Sequence, residues 1–479
     1  MTSIRRSWLH LATGAGLGRI FGFVSNLMLS RWLGPFDLGL FNLIATSIQT
    51  GDTLLRLGSD YAINYEIGGD HGALLTKQGL GKLSAFVQIC TMGTLILFMA
   101  GGVWFFYNEG LLAPDPSHSY RFELGILILS LFLIDGVCAS AWEILLVSKR
   151  TRSLALRQGL FYPLRLFAAA TISLKFGIIG ALTAWFCVSL AQYAWLRVTL
   201  KSLWNPFRVF PFQLDWIPQL LKRGLPFYAS NLLSSIISYL LLLDVAESTG
   251  LVQIGYLRIA QILQQLFAFL PATLVPILFL HLRSQISLEN KVYFLERPIR
   301  IVWLASLTFL FCYCIVDRPL ILLLFGKDYI PSIIPTRLFL LIALLECLSQ
   351  LIVQPILASG KIQLYSLAQN ISAIVSGILG WYTIPQYGLA AYILMRFVYV
   401  ALPFICFSIA LLSKLNNPVS FYTIGVATLL IAILFFIQQL SPTFFQLPWW
   451  SFSFGITTLL WIYRSDAKYL VSQVTSINR

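Results

Sequence analysis

Charge is scarce in this chain. Only 11% of its 479 residues are Asp, Glu, Lys or Arg, while 58% are hydrophobic. A water-soluble domain carries about 25% charged residues, so a soluble globular fold is excluded. Histidine is scarcer still: His10, His71, His118 and His281 sit at loops or at the ends of apolar runs, with no partnered nucleophile. No catalytic centre follows from them, and an enzyme is not expected. The seven cysteines all lie inside apolar segments, none has metal-ligand spacing with histidine, and Cys312-x-Cys314 is not a C-x-x-C pair. They read as buried thiols, and neither a metal nor a cofactor is expected. Long polar stretches are missing too. The largest, Leu200–Gly224, has about 25 residues, too few for a folded domain. That excludes the soluble carboxylate-bearing domain of a metal-dependent glycosyltransferase and the large outer loop of a polysaccharide polymerase.

What the chain does have is length of apolar sequence. Leu124–Leu133, Ile301–Phe311 and Phe421–Ile437 carry almost no charge. Runs near 20 residues match a hydrocarbon core of roughly 30 Å at about 1.5 Å rise per residue. They do not alternate polar with apolar, so helices are expected rather than a barrel. Hydropathy divides the chain into about 14 spans: 8–30, 38–62, 83–107, 124–147, 154–174, 177–198, 225–244, 250–280, 300–325, 333–358, 364–384, 387–412, 419–440 and 447–463. Arg5 and Arg6 before the first run resemble a signal peptide. That run carries Arg19 and lacks a small-residue cleavage site, so it is read as an uncleaved first span.

The net charge is +14. Its distribution explains it without nucleic acid. Roughly 22 Lys and Arg fall in one alternate set of loops and in both termini, against 6 in the other set. By the positive-inside rule the rich side is cytoplasmic. The expected location is the inner (plasma) membrane, multi-pass, with both termini cytoplasmic. Trp204, Phe207 and Trp216 among Arg208 and Lys222 make the 201–224 stretch either a surface-lying amphipathic segment or a plain linker.

A weak repeat runs through the chain. Val147-Ser148-Lys149-Arg150 matches Ala358-Ser359-Gly360-Lys361, and Lys175-Phe176-Gly177-Ile178 matches Gln386-Tyr387-Gly388-Leu389, both at an offset of about 211. Gly39 and Gly255 share an offset of 216. The expected architecture is an all-α polytopic bundle of two pseudo-symmetric six-helix lobes, 1–200 and 225–412. Residues 201–224 link the lobes, and 413–479 add two helices and a tail. Duplicated bundles around a central site are common among transporters.

Polar residues inside spans form stripes. Asn42, Thr46, Gln49, Thr53, Arg56 and Asp60 step by three or four along one face of the second span. Arg19, Asn26 and Ser30 share a face of the first. Asn231, Ser235 and Ser238 share one in the seventh, Arg258, Gln261 and Gln265 one in the eighth, and the tenth carries Glu346, Gln350 and Gln354. Such faces avoid lipid. Helix-to-helix hydrogen bonding is the plain explanation for one of them. Stripes on spans one, two, seven and eight, at equivalent repeat positions, point to a wet cavity. Arg19 and Arg258 have no carboxylate neighbour in sequence, and a guanidinium fork suits phosphate oxygens. Arg56 has two readings, an anion ligand or the centre of an Asp52–Arg56–Asp60 ladder. Arg165 and Arg396 fall on outer helices and read as structural. Asp135 and Glu143 read as members of tertiary ion pairs, with proton coupling as the alternative. Gly18-x-x-x-Gly22 fits close helix packing. Pro271, Pro276 and Pro355 fit kinks.

Several segments resemble a known family. Arg19-Ile20-Phe21-Gly22 leads to Leu29-Ser30-Arg31-Trp32-Leu33-Gly34-Pro35-Phe36-Asp37-Leu38-Gly39-Leu40-Phe41. Asp244 precedes Gly255-Tyr256-x-x-x-Ala260. Leu324-Phe325-Gly326-Lys327-Asp328-Tyr329, Gln354-Pro355-Ile356-Leu357-Ala358-Ser359-Gly360-Lys361 and Ile384-Pro385-Gln386-Tyr387-Gly388-Leu389-Ala390-Ala391 follow in order. Together they resemble polysaccharide flippases (Wzx-like) of the multidrug/oligosaccharidyl-lipid/polysaccharide exporter superfamily. The resemblance touches most of residues 15–400. It implies two six-helix lobes in a V shape around a cavity lined by spans one, two, seven and eight. It also implies alternating-access transfer of a polyprenyl-pyrophosphate-linked oligosaccharide to the outer leaflet, as in O-antigen or lipopolysaccharide export. Relatives that flip the peptidoglycan precursor use cavity arginines, and Arg19, Arg56 and Arg258 resemble them in placement. The expected substrate-binding set is those three with Asn26, Asn42, Gln49, Asn231, Gln261 and Gln265. Expected partners are the lipid-linked oligosaccharide, membrane lipids and a coupling proton or sodium ion, with no nucleic acid. The competing readings are a multidrug exporter of the same superfamily and, from another class, a polymerase or glycosyltransferase.

Overall fold

The computed structural model describes residues 2–56, 77–107, 121–147, 151–200, 217–268, 275, 282, 288–359 and 361–412. Among them the secondary structure is helical throughout. The helices are α1 (Thr2–Arg56), α2 (Lys77–Tyr107), α3 (Arg121–Val147), α4 (Thr151–Leu156), α5 (Tyr162–Leu200), α6 (Ile217–Thr249), α7 (Leu251–Phe267), α8 (Leu288–Leu324), α9 (Ile333–Ala358) and α10 (Ile362–Leu412). A single π turn, Arg157–Phe161, joins α4 to α5, and a 3₁₀ turn, Lys327–Ser332, joins α8 to α9. Five described segments are long and apolar enough to cross a membrane: Gly159–Leu200, Tyr228–Thr249, Pro298–Leu324, Lys327–Ala358 and Gln363–Leu411. Exposed Leu174, Phe176, Leu323, Tyr382 and Tyr387 give the bundle a greasy exterior, as lipid contact requires. The protein is a multi-pass, all-α membrane helix bundle.

The described helices can be set against the expected spans. Three helices each carry two spans through a sharp bend at a left-handed glycine. α1 bends at Gly34 (φ 73°), α5 at Gly177 (φ 57°) and α10 at Gly388 (φ 54°). Gly250 (φ 86°) separates α6 from α7. An L side chain rarely adopts such φ values. Pro35, directly after Gly34, removes a helical donor at the same bend. α6 starts at Ile217, so the last eight residues of the expected 201–224 linker are helix; residues 201–216 lie outside the described structure. α7 runs Leu251–Phe267; the rest of the expected 250–280 span, apart from Ala268 and Val275, lies outside the described residues, as do Pro271, Pro276 and spans thirteen and fourteen.

The bends carry the repeat. Gly34 and Gly250 stand 216 residues apart, and Gly177 and Gly388 stand 211 apart, with matching φ and ψ in each pair. α1 packs with α5 and α7, α6 with α10, and α9 with α7, α8 and α10. Where α1 meets α7 the contact is backbone against backbone. A Cβ on Gly39 would lie 1.9 Å from the Leu251 carbonyl oxygen, and one on Gly255 would lie 2.0 Å from that of Pro35. Both pairs, 39 with 255 and 35 with 251, keep the 216-residue offset, so the crossing is reciprocal. Only glycine permits this approach. Gly18 and Gly22, expected to seat a helix, are buried and border an open space, and a Cβ on Gly22 would meet Tyr162 and Leu166 of α5 in ordinary contact.

Candidate functional site

The crossing lies beside the Gly34 bend of α1 and the Gly250 joint before α7. Bending at Gly34 ends the first half of α1, leaving its last carbonyls short of intrahelical donors. Tyr329, buried beneath the 3₁₀ turn, donates its hydroxyl to the Ser30 carbonyl at 2.6 Å. Arg31 donates to the Leu323 carbonyl. Arg337 on α9 pairs with the buried Asp317 on α8. The first two bonds tie α1 to α8 and the 3₁₀ turn, and the third joins α9 to α8.

Away from the crossing the helices part, and two connected spaces open. The inner one is a chamber of about 290 Å³. From α1 it receives Phe41, Asn42, Ala45, Thr46 and Gln49. From α7 come Arg258, Gln261, Gln264 and Gln265. Tyr162, Arg165 and Trp185 of α5 face Ser238 of α6, Phe339 of α9, and Tyr392 and Arg396 of α10. The second, a vestibule of about 620 Å³, is lined by Gly18, Arg19, Gly22, Phe23 and Asn26 of α1, by Arg157, and by Gln192, Gln265 and Gln350. Tyr162, Arg165 and Gln265 line both. The i, i+3, i+4 spacing of the α1 and α7 stripes explains why their polar side chains reach the same space.

Most of the expected binding residues therefore meet. Asn42, Gln49, Arg258, Gln261 and Gln265 line the chamber, and Arg19 and Asn26 line the vestibule. Asn42 of α1 donates to Gln261 of α7 at 3.3 Å. Arg258 donates to the side-chain oxygen of Asn26 at 3.2 Å, while its buried Nε has no hydrogen-bond partner. Asn231 departs from the expectation: it is exposed on α6, and neither space includes it. Its stripe-mate Ser238 does line the chamber. Arg56 ends α1; its side chain, with Asp52, Asp60 and Glu143, lies outside what is described.

Two residues assigned to outer helices need correction. Arg165 and Arg396 both line the chamber, and both also pair with a carboxylate. Arg165 bonds Asp135 at 3.1 Å, so the tertiary ion pair expected for Asp135 is present. Arg396 stands 3.7 Å from Glu346. Arg165 also lies over the rings of Trp185 and Tyr162, at 4.5 and 5.3 Å. One signal was available: Asp135 and Glu346 stand 211 residues apart, the offset already present in the loops.

No protein-family profile and no curated protein matches the chain. Solved structures do. The lipid II flippase MurJ in an inward closed conformation superposes with a TM-score of 0.71 over 96% of this chain and 99% of that one, at 14% identity. An inward-facing multidrug resistance MATE family transporter of the MOP superfamily gives 0.59 over 88% and 98%, at 15% identity. An outward-facing one gives 0.57 over 85% and 96%, at 16% identity. These neighbours are a flippase and transporters rather than enzymes. At such identities the likeness establishes the fold: this chain has the helix arrangement of MurJ and the MATE transporters.

Proposed function

We propose that the protein is a flippase that carries a polyprenyl-pyrophosphate-linked oligosaccharide from the cytoplasmic to the outer leaflet by alternating access. The observation that carries this reading is Arg258. A guanidinium held in the chamber with one nitrogen unbonded and a neutral amide as its hydrogen-bond partner is costly without an anion. A pyrophosphate supplies the missing charge and acceptors. Asn42, Gln49, Gln261 and Gln265 offer donors and acceptors to sugar hydroxyls. The loop-charge bias puts both termini in the cytoplasm of the inner membrane and the Gly39–Gly255 crossing near the outer face. Both spaces then open away from the sealed outer end, toward the leaflet where the substrate is loaded. Surface polysaccharide or O-antigen export is the pathway this substrate class serves.

The drug-exporter reading shares the fold. It asks for a free carboxylate to hold a cation; among the described residues Asp135 and Glu346, beside the chamber, each face an arginine. The deciding experiment reconstitutes the full chain in vesicles. Translocation of a lipid-linked oligosaccharide is measured against efflux of a cationic dye. Arg258→Ala is expected to lower lipid transfer at least about tenfold, and Arg258→Lys to restore part of it through charge without the fork. Dye efflux with no lipid transfer would overturn the flippase reading.

A further inference from the structure

Asp135 on α3 and Glu346 on α9 occupy equivalent places in the two lobes, and each faces an arginine from a neighbouring helix of its own lobe. The two couples are not equally tight. Both oxygens of Asp135 are engaged: Oδ2 accepts from Arg165 at 3.1 Å and from the Trp185 indole at 2.9 Å, and Oδ1 accepts from Ser189 at 2.6 Å. The stacked Trp185 and Tyr162 rings further fix Arg165. Glu346 receives one hydrogen bond, from Gln264 at 2.8 Å, while Arg396 stays 3.7 Å from its other oxygen, beyond hydrogen-bond length. Arg396 leans on one ring, Tyr399, at 5.0 Å. So the first lobe holds its arginine in a closed network, and the second keeps its arginine near a carboxylate without bonding it.

We propose that Arg396 is a further ligand of the substrate's anionic group, held in reserve beside Glu346 until that group enters the chamber. This rests on the reading of the chamber as an anion site. Arg396 shares that chamber with Arg258. A pyrophosphate oxygen pair offers it two parallel bonds where Glu346 now offers none. Glu346 keeps the Gln264 amide when Arg396 turns away, so the exchange does not strip it bare. Arg165 stays in place as a wall.

The test uses the purified full chain in detergent, with farnesyl diphosphate as probe, a prenyl pyrophosphate without sugar. Binding is measured by calorimetry and folding by melting temperature. Arg396→Ala is expected to weaken binding about tenfold, with Arg396→Lys intermediate. Glu346→Gln removes the competitor, so binding should tighten about threefold or more. The double variant should bind like Arg396→Ala alone, because Glu346 acts through Arg396. A purely structural salt bridge predicts the reverse for Glu346→Gln, a loss of melting temperature with no gain in affinity. Unchanged binding by Arg396→Lys and Arg396→Ala overturns the inference, as does an equal gain from Glu346→Gln in the Arg396→Ala background. Arg258→Ala separates the two levels. If it abolishes binding while Arg396→Ala does not, only the role of Arg396 falls. If neither matters, the anion site falls with it.

Discussion

Among the described residues, the same two helices, α1 and α7, make both a backbone-to-backbone contact and the wall of an open chamber. At Gly39 and Gly255 their backbones touch, with no side chain between them. Starting within the next turn, Asn42, Thr46 and Gln49 face Arg258, Gln261 and Gln265 across a chamber of about 290 Å³. The difference is one of residue size near the bends. Glycine at the crossing lets van der Waals contact and weak Cα–H donors form the seal. Long polar side chains line the space beyond it. A seal built from backbone has little side-chain slack, so it is open or shut. A chamber built from flexible amides can adapt to a glycan.

The sharpest way to break this contrast is to put side chains into the seal. Gly39→Ala with Gly255→Ala places two Cβ atoms about 2 Å from carbonyl oxygens of the facing helix. Overpacking of this kind costs typically about 1–3 kcal/mol per site, enough to shift an open–shut equilibrium roughly 5- to 150-fold for each. The expected result is a protein of normal abundance that transports poorly and stays open at the crossing. Cysteines at Thr46 and Gln261, in a cysteine-free background, should then react with an impermeant thiol reagent from the crossing side, and a cysteine at the buried Leu307 should not. Labelling at Thr46 no faster than in the glycine parent would show that the crossing is not the seal.

A smaller effect is expected at the chamber wall. Asp135→Asn keeps the shape but removes the charge facing Arg165, along with charge-assisted bonds from Trp185 and Ser189. Hydrogen bonds to charged groups are worth about 1.5–3 kcal/mol each. In membranes the measured values run lower, near 0.6 on average. A fall in melting temperature is expected, partly recovered by Arg165→Gln in the same chain. Wild-type melting for Asp135→Asn would mean that the tight couple is no strut.

Much of this arrangement is legible in the sequence, because membrane helices obey period and length. The stripes on α1 and α7 reach the chamber since spacing along a helix fixes its face; of the bends, Gly34 falls between the first two expected spans, while Gly177, Gly250 and Gly388 fall at the starts of the sixth, eighth and twelfth. Arg165 and Arg396 escaped because facing the chamber from α5 and α10 depends on how those helices rotate against their neighbours, which no single-helix pattern records. Asn231 failed for a related reason. A polar face spreads over an arc, and in α6 only the Ser238 part of it turns inward. The 216-residue offset of Gly39 and Gly255 marked a repeat, but that the two copies touch each other is a property of the pseudo-symmetry axis alone.

The smallest effect is expected at Tyr329, and it tests whether the seal depends on more than glycine. Its hydroxyl reaches the Ser30 carbonyl at 2.6 Å, just before the bend at Gly34, and the ring is buried. Tyr256, one residue from Gly255 at the crossing, packs edge-on against it with ring centroids 6.4 Å apart. Tyr329→Phe keeps the rings and removes one hydrogen bond, a loss of about 0.5–1.5 kcal/mol. If that bond is present only when the crossing is shut, the loss falls on the shut state, which becomes roughly 2- to 13-fold less favoured. Thiol labelling at Thr46 from the crossing side should rise by that factor, with melting temperature almost unchanged. If the bond persists in both states, melting temperature falls and labelling does not move. The two outcomes separate a latch from a simple strut, and a rise in labelling much larger than this range would mean that the glycine contact is too weak to hold the end closed by itself.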